Sequence, residues 1–318
     1  MAAVIQQREI PGELLGELCE CTGGEEAMRG ALAADGYVLL RGALEVEAVM
    51  AARAEVFERL HEVDEISEPP LDGVATGNSS RPQPKDDNGA FWRSVSDGPA
   101  LRSVTHGERL AALTAMLHGE PASAHDLIYL RPTPVGRSTN LHFDFPFFAG
   151  FTERIVTSWI PFGDVPISDG PLVIVGSSPS FSDLIDPLRE LDFSADRSQE
   201  TVQAAAYEKQ NEQHPIDLAR ARSTRLLTTD FRAGDVVLFG MFTLHGSLDN
   251  ASPINRVRLS CDVRWQPASI GVSDPRYFGP NPTGSKGGGY ADMRSAQPMD
   301  TDRHAVQEKL NEHPGTQC

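Results

Sequence analysis

Residues 141–148, LHFDFPFF, set a histidine and an aspartate two positions apart inside an aromatic run. In a β-strand alternate side chains leave the same face, so His142 and Asp144 project together if residues 141–145 are extended. Leu141, Phe143 and Phe145 then fill the opposite face. Two similar strings lack this geometry. His106 and Glu108, like His118 and Glu120, fall in or beside helical segments, where positions i and i+2 lie about 200° apart and cannot share an ion. His142 and Asp144 are therefore the pair with chelating geometry. Taken alone, the string also fits a hydrogen-bonded histidine beside a capping aspartate. A third ligand is needed to decide.

The surrounding sequence reads as β. From about residue 122, short strands alternate with Pro and Gly: AHDLIYLRP, LHFDFPFF, RIVTSWIPF, PLVIVGS, DVVLFGM and RVRLSCDVRW. This is the pattern of an all-β sandwich or barrel. Residues 180–230 interrupt it with a polar, acidic, helix-patterned insertion, expected over one barrel mouth. Upstream, EEAMRGALAADG and EVEAVMAARAEVFERLHEV carry helical periodicity on either side of the short strand YVLLRGAL. Residues 66–90 are rich in Pro, Gly, Ser and Asp and read as a long loop. The expected organisation is one domain over residues 1–318. Residues 1–120 give helical support and a lid loop, 121–267 the β core, and 268–318 a loop-rich tail.

Composition narrows the function. The 318 residues are 40% hydrophobic and 23% charged, ordinary for a globular protein. No apolar run approaches the roughly 18 to 20 residues that span a bilayer. The N-terminus has neither a basic region nor a long apolar one, so no secretory signal is expected. Cys19, Cys21, Cys261 and Cys318 are too few and scattered for a disulfide framework, and read as reduced thiols of a cytoplasmic protein. A net charge of −17 argues against a nucleic-acid partner, which needs a basic stripe. A small neutral or cationic metabolite fits better. Oligomeric state is not legible.

The third ligand comes from GDVVLFGMFTLHGSLDN, where a strand ends at His245 before a turn. Two histidines and a carboxylate on neighbouring strands make the facial triad that holds non-heme Fe(II) with open positions. In NRVRLSCDVRW, Arg256, Arg258, Ser260 and Asp262 alternate with Val257, Leu259, Cys261 and Val263. The polar face lies either outward over an apolar core or inward in a charged lumen, and alternation alone does not choose. In AHDLIYLRP, His125, Leu127, Tyr129 and Arg131 share a face. His125 reads equally as a substrate contact or a structural histidine.

HFD, then DGPLVIVGSSP, then GDVVLF with HGS, then an arginine eleven residues past His245, resemble the phytanoyl-CoA dioxygenase (PhyH) family of Fe(II)- and 2-oxoglutarate-dependent oxygenases. ADGYVLLRGAL resembles that family's opening strand, so the likeness covers about residues 30–267. The resemblance implies a mainly β fold, a double-stranded β-helix (jelly-roll, cupin-like) core with flanking helices. It implies Fe(II) held by His142, Asp144 and His245, 2-oxoglutarate as second cofactor, O₂ as co-substrate and ascorbate as reductant. Arg256 matches the arginine that pairs with the distal carboxylate of 2-oxoglutarate. Arg258 and Ser260 resemble an Arg-x-Ser element of a related group and stay open as the alternative, the spacing favouring Arg256. Ser247, Trp159 and Tyr129 match positions lining the co-substrate pocket. VGSSPS departs from the family's Pro-Gly-Ser-His, which bears on local packing and not on metal binding.

The implied reaction is hydroxylation of an unactivated C–H of a small metabolite, in secondary metabolism, with release of succinate and CO₂. A carboxylate at position 144 argues against halogenation, because related halogenases carry a small residue there. Desaturation and ring formation are compatible with the same triad. Two rivals remain: a cupin-like isomerase or keto-acid-independent dioxygenase, which needs the triad but no buried arginine, and a non-catalytic β-barrel binding protein. The insertion at 180–230 and the loop at 66–90 are the expected specificity elements.

Overall fold

The computed structural model describes residues 2–148, 152–191 and 198–300. Its strands are β1 (Val4–Ile5), β2 (Arg8–Glu9), β3 (Leu15–Glu17), β4 (Tyr37–Leu40), β5 (Ala122–Ala124), β6 (Tyr129–Thr133), β7 (Val156–Pro161), β8 (Leu172–Val175), β9 (Leu226–Thr228), β10 (Val236–Gly240), β11 (His245–Ser247) and β12 (Arg258–Pro267). The helices are α1 (Glu25–Asp35), α2 (Val46–His61), α3 (Pro84–Asp87), α4 (Ala90–Ser96), α5 (Pro99–Thr105), α6 (Glu108–His118), α7 (Phe145–Phe148), α8 (Ser182–Glu190), α9 (Gln199–Tyr207) and α10 (Pro215–Ala221).

Two sheets face each other. The larger runs β4-β10-β7-β12-β5, with β6 also on β12; the smaller runs β11-β8-β9-β3. Their pairings are antiparallel except the parallel β3–β9 pair. Strand alternation assigns the faces. Tyr37 and Leu39, Val237 and Phe239, and Leu172 and Ile174 turn inward and form one apolar cluster with Trp159 and Phe231. The opposite face of the large sheet, through Val38, Val236, Leu238 and Ile160, joins the core containing helix residues Val56, Phe57 and Leu113.

This arrangement resolves the alternation of β12. Val257, Leu259, Cys261 and Val263 belong to the helix-side core, so Arg258, Ser260, Asp262 and Arg264 face the space between the sheets. All four are buried.

Three elements differ from the sequence expectation. LHFDFPFF is not a strand: His142 makes one isolated antiparallel bridge with His245, and Phe145–Phe148 is a helical turn. Pro146 has no N–H for a ladder, so the strand stops where the proline begins. AHDLIYLRP divides into β5 and β6. Within 180–230, α8, α9 and α10 lie among the described residues, while Leu226–Thr228 is β9, a core strand. The loop at 66–90 is pinned by Arg81, which pairs with Glu65 at 2.9 Å and donates to the Ser295 and Gln297 carbonyls. Cys19, Cys21 and Cys261 are free thiols, whereas residues 301–318, Cys318 among them, lie outside the described residues. Among the described residues no helix is long and apolar enough to cross a membrane.

Candidate metal centre and its cavity

The His142–His245 bridge carries both backbone hydrogen bonds, His142 N–H to the His245 carbonyl at 2.9 Å and the reverse at 3.1 Å. That pairing brings the two rings to a centroid separation of 4.3 Å. After His142 the chain turns, with Phe145 N–H donating to the Met241 carbonyl, and Asp144 comes round to the same side. One ligand atom each from His142, Asp144 and His245 then lie within 4.8 Å of one another, and all three residues are buried. The shared face inferred from an extended strand is therefore achieved by a single bridge and a turn.

Both rings are set for metal. His142 Nδ1 lies 2.9 Å from the Asn140 carbonyl and His245 Nδ1 lies 2.9 Å from the Thr243 carbonyl. A carbonyl only accepts, so each Nδ1 carries the proton and each Nε2 presents a lone pair. Burial, reinforced by the neighbouring His245, pushes the His142 pKa down to about 3. Burial likewise lowers His245. Both imidazoles are neutral at physiological pH and need lose no proton to bind a cation. Burial alone would raise the Asp144 carboxyl, but Arg264 and the two histidines hold it below its ordinary range. Arg264 Nη2 sits 2.9 Å from both Asp144 oxygens, and Thr157 Oγ1 donates to Oδ2 at 2.5 Å.

Aromatic rings enclose the triad. Phe239 underlies His245 at 4.3 Å, and Tyr207 of α9 stacks on His142 at 5.3 Å. A cavity of about 870 Å³ opens from His142 and Asp144. Tyr129, Arg131 and Thr133 of β6 form one wall, Gln203 and Tyr207 of α9 another, and the 283–295 segment closes it with Lys286 and Arg294. The 180–230 insertion thus reaches the cavity, whereas no residue of the 66–90 loop lines it.

The expected co-substrate residues separate. Arg256 lies before β12, one-third exposed, with Nη1 3.3 Å from Asp169, and does not line the cavity. Arg258 is 2% exposed and donates to Ser260 Oγ and, at 2.9 Å, to Thr133 Oγ1. Thr133 lines the cavity, and Arg258 lies behind it without lining the cavity itself. Among the described residues Arg258 has no carboxylate partner and its Nε has no hydrogen bond. Burial, with Arg131 adding repulsion, lowers its pKa to about 10. Tyr129 lines the cavity. Trp159 instead packs on Phe231 at 4.7 Å in the apolar cluster. Ser247 Oγ accepts from the Thr139 N–H at 2.8 Å and so holds a loop. His125 is enclosed by Tyr277, Phe278 and Phe148, outside the cavity lining.

Sequence reasoning passed over Arg264, Thr157 and Tyr207. Arg264 was reachable, since it extends the alternating face of Arg258, Ser260 and Asp262 by one step. For Thr157 and Tyr207 no sequence signal marks the contact, because each depends on how distant elements dock.

The fold has known counterparts. The crystal structure of the epimerase SnoN in complex with Fe3+, alpha ketoglutarate and nogalamycin RO is similar at TM-score 0.51 and 20% identity, over 88% of this chain and 96% of that one. The apoform of EctD from S. alaskensis is similar at TM-score 0.51 and 16% identity, over 90% of this chain and 93% of that one. At these identities the likeness shows a shared fold. No curated protein matches the chain. The family model for phytanoyl-CoA dioxygenase (PhyH) matches residues 32–257, well over half of the chain and spanning both histidines and Asp144. The chain therefore belongs to the phytanoyl-CoA dioxygenase family.

Proposed function

We propose that this protein is an Fe(II)- and 2-oxoglutarate-dependent oxygenase that hydroxylates an unactivated C–H bond of a small molecule, releasing succinate and CO₂. The carrying observation is the buried His142, Asp144 and His245 triad, with His142 and Asp144 lining a cavity of about 870 Å³. Two neutral imidazoles and one carboxylate are the donor set that suits iron while leaving positions open. Bound there, iron and 2-oxoglutarate supply the activation of O₂ and the two electrons that its reduction requires beyond those of the substrate.

The chain's own residues do the rest. Arg258 is our assignment for the distal carboxylate of 2-oxoglutarate, in place of Arg256. It is a buried cation whose hydrogen bonds go to hydroxyl groups, and a guanidinium in that state gains most from a planar carboxylate. Ser260 and Thr133 fix its fork. The Asp144 carboxylate keeps its position among the ligands, which supports hydroxylation over halogenation. Tyr207 and Phe147 cover the His142 side of the triad, which would limit the access of bulk water to a metal held there. The substrate occupies the space between α9 and the 283–295 segment.

The test is succinate formation by the purified protein with Fe(II), ascorbate and 2-oxoglutarate, stimulated by candidate small molecules. Iron-dependent succinate that disappears in His142→Ala is the expected result. Iron-dependent turnover of a substrate without 2-oxoglutarate would move the assignment to a cupin-like enzyme. Tight ligand binding with no retained iron would point to a binding protein.

A further inference from the structure

Among the described residues Arg264 is the buried charge that touches the triad and that the proposed reaction leaves without a role. It is 2% exposed and pairs across β12–β7 with Thr157, the other residue that holds Asp144. Its guanidinium carbon lies 4.5 Å from the Tyr129 ring and 5.0 Å from the Phe148 ring. Its Nη1 lies 3.9 Å from Asp262, which Arg131 grips at 2.5 Å. Four alternating charges, Arg131, Asp262, Arg264 and Asp144, thus run from the cavity wall to the metal ligand.

A purely structural arginine would be expected to have its donors satisfied. Among the described residues, Arg264 Nε and Nη1 have no hydrogen bond. What Arg264 does have is Nη2 2.9 Å from both oxygens of Asp144. A buried ion pair is also a poor source of stability compared with an apolar pair of similar volume. The contact it keeps is the one that orients a ligand.

We propose that Arg264 is a positioning residue for the metal. With Thr157 it sets the orientation of the Asp144 carboxylate and holds it in place before a cation arrives. This rests on the metal-site reading above. Residues that orient a ligating carboxylate change metal affinity by about 10- to 100-fold when removed.

The experiment titrates metal-free, full-length protein with Mn(II) alone, following loss of the free Mn(II) resonance signal. Cobalt-loaded samples then report ligand geometry through their visible spectrum. Wild type is expected to bind one equivalent. Arg264→Gln should weaken Mn(II) about tenfold or more and alter the Co(II) spectrum at saturation. Arg264→Lys keeps the charge, and with it the best chance of folding. It should recover part of the affinity but not the wild-type spectrum, because the shorter lysine side chain does not place its nitrogen where Nη2 meets both Asp144 oxygens. Arg264→Lys with wild-type affinity and an unchanged spectrum would overturn the proposal while leaving the metal site standing. A wild-type protein that binds no Mn(II) would overturn both.

Discussion

Strand β7 shows two environments two residues apart. Thr157 and Trp159 both face the space between the sheets. Thr157 reaches the carboxylate of Asp144, whereas Trp159 lies against Phe231 among Leu39, Ile174 and Phe239. One part of the interior is sealed hydrocarbon. The other buries Asp144, Arg258, Asp262 and Arg264, with the partly exposed Arg131 beside them, on β6, β12 and the turn after His142. Burying a charge costs several kcal/mol even when it is paired, so the second region cannot hold itself together. The lesson is a division of labour along common strands: the apolar part supplies the stability that lets the charged part be organised for ligands.

The most drastic way to break this division is to empty the charged region. Asp144→Ala removes a metal ligand and strands Arg264, and iron-dependent succinate formation should fall to background. Because one partner of a buried pair is left alone, the metal-free variant should also lose about 3 to 5 kcal/mol in urea unfolding. Retained turnover would mean that the triad is not the reaction centre.

The apolar region should respond in the opposite sense. Trp159→Ala opens a cavity in a packed cluster and is expected to cost about 3 to 5 kcal/mol of stability. Mn(II) affinity at a temperature where the variant is folded should stay within about threefold of wild type. A large loss of metal affinity would show that the two regions are not separable.

Two arginines two residues apart sharpen the comparison further. Arg258→Ala should raise the KM for 2-oxoglutarate about 30-fold, the scale of one charge-assisted contact of about 2 kcal/mol. Arg256→Ala, which breaks only a partly exposed pair with Asp169, should change it less than about twofold. The reverse ranking would restore the assignment drawn from spacing alone.

That spacing illustrates what the sequence could carry. Counting eleven residues from His245 presumes a fixed path for the loop, yet the path is set by long-range contacts. Asn250 donates to both the Thr133 and Arg256 carbonyls, and Asp169 draws Arg256 outward. The triad was legible because His142 and Asp144 stand two apart and His245 ends a strand pattern, although a bridge to His245 and a turn, not an extended strand, bring the side chains together. The β architecture was legible because alternation and turn residues are local. The helical turn at Phe145–Phe148 was hidden by aromatics that suit a strand equally well, with Pro146 as the unread signal. The Arg264–Asp144 pair joins residues 120 positions apart, and no local pattern announces it.

His125 supplies the finest test, because it is a buried histidine that serves no triad. It is 1% exposed, its ring lies 5.3 Å from Tyr277 and 4.8 Å from Phe278, and Nε2 is 3.2 Å from Gln266 Oε1. Burial lowers its pKa to about 4; the Gln266 contact opposes that shift and the Arg264 charge adds to it. In the unfolded chain the same ring titrates near 6.5. Between these values the unfolded state takes up a proton that the folded state refuses. The stabilisation is therefore complete above pH 6.5 and is lost as pH falls towards 4, at up to about 1.4 kcal/mol per pH unit. Urea unfolding of metal-free protein at several pH values through this window should show that slope. In His125→Gln, which keeps a polar group opposite Gln266 but cannot charge, the slope should drop by one proton's worth. An unchanged slope would mean that His125 already takes up its proton in the folded protein, so that this pocket is less tightly sealed than the cluster around Trp159.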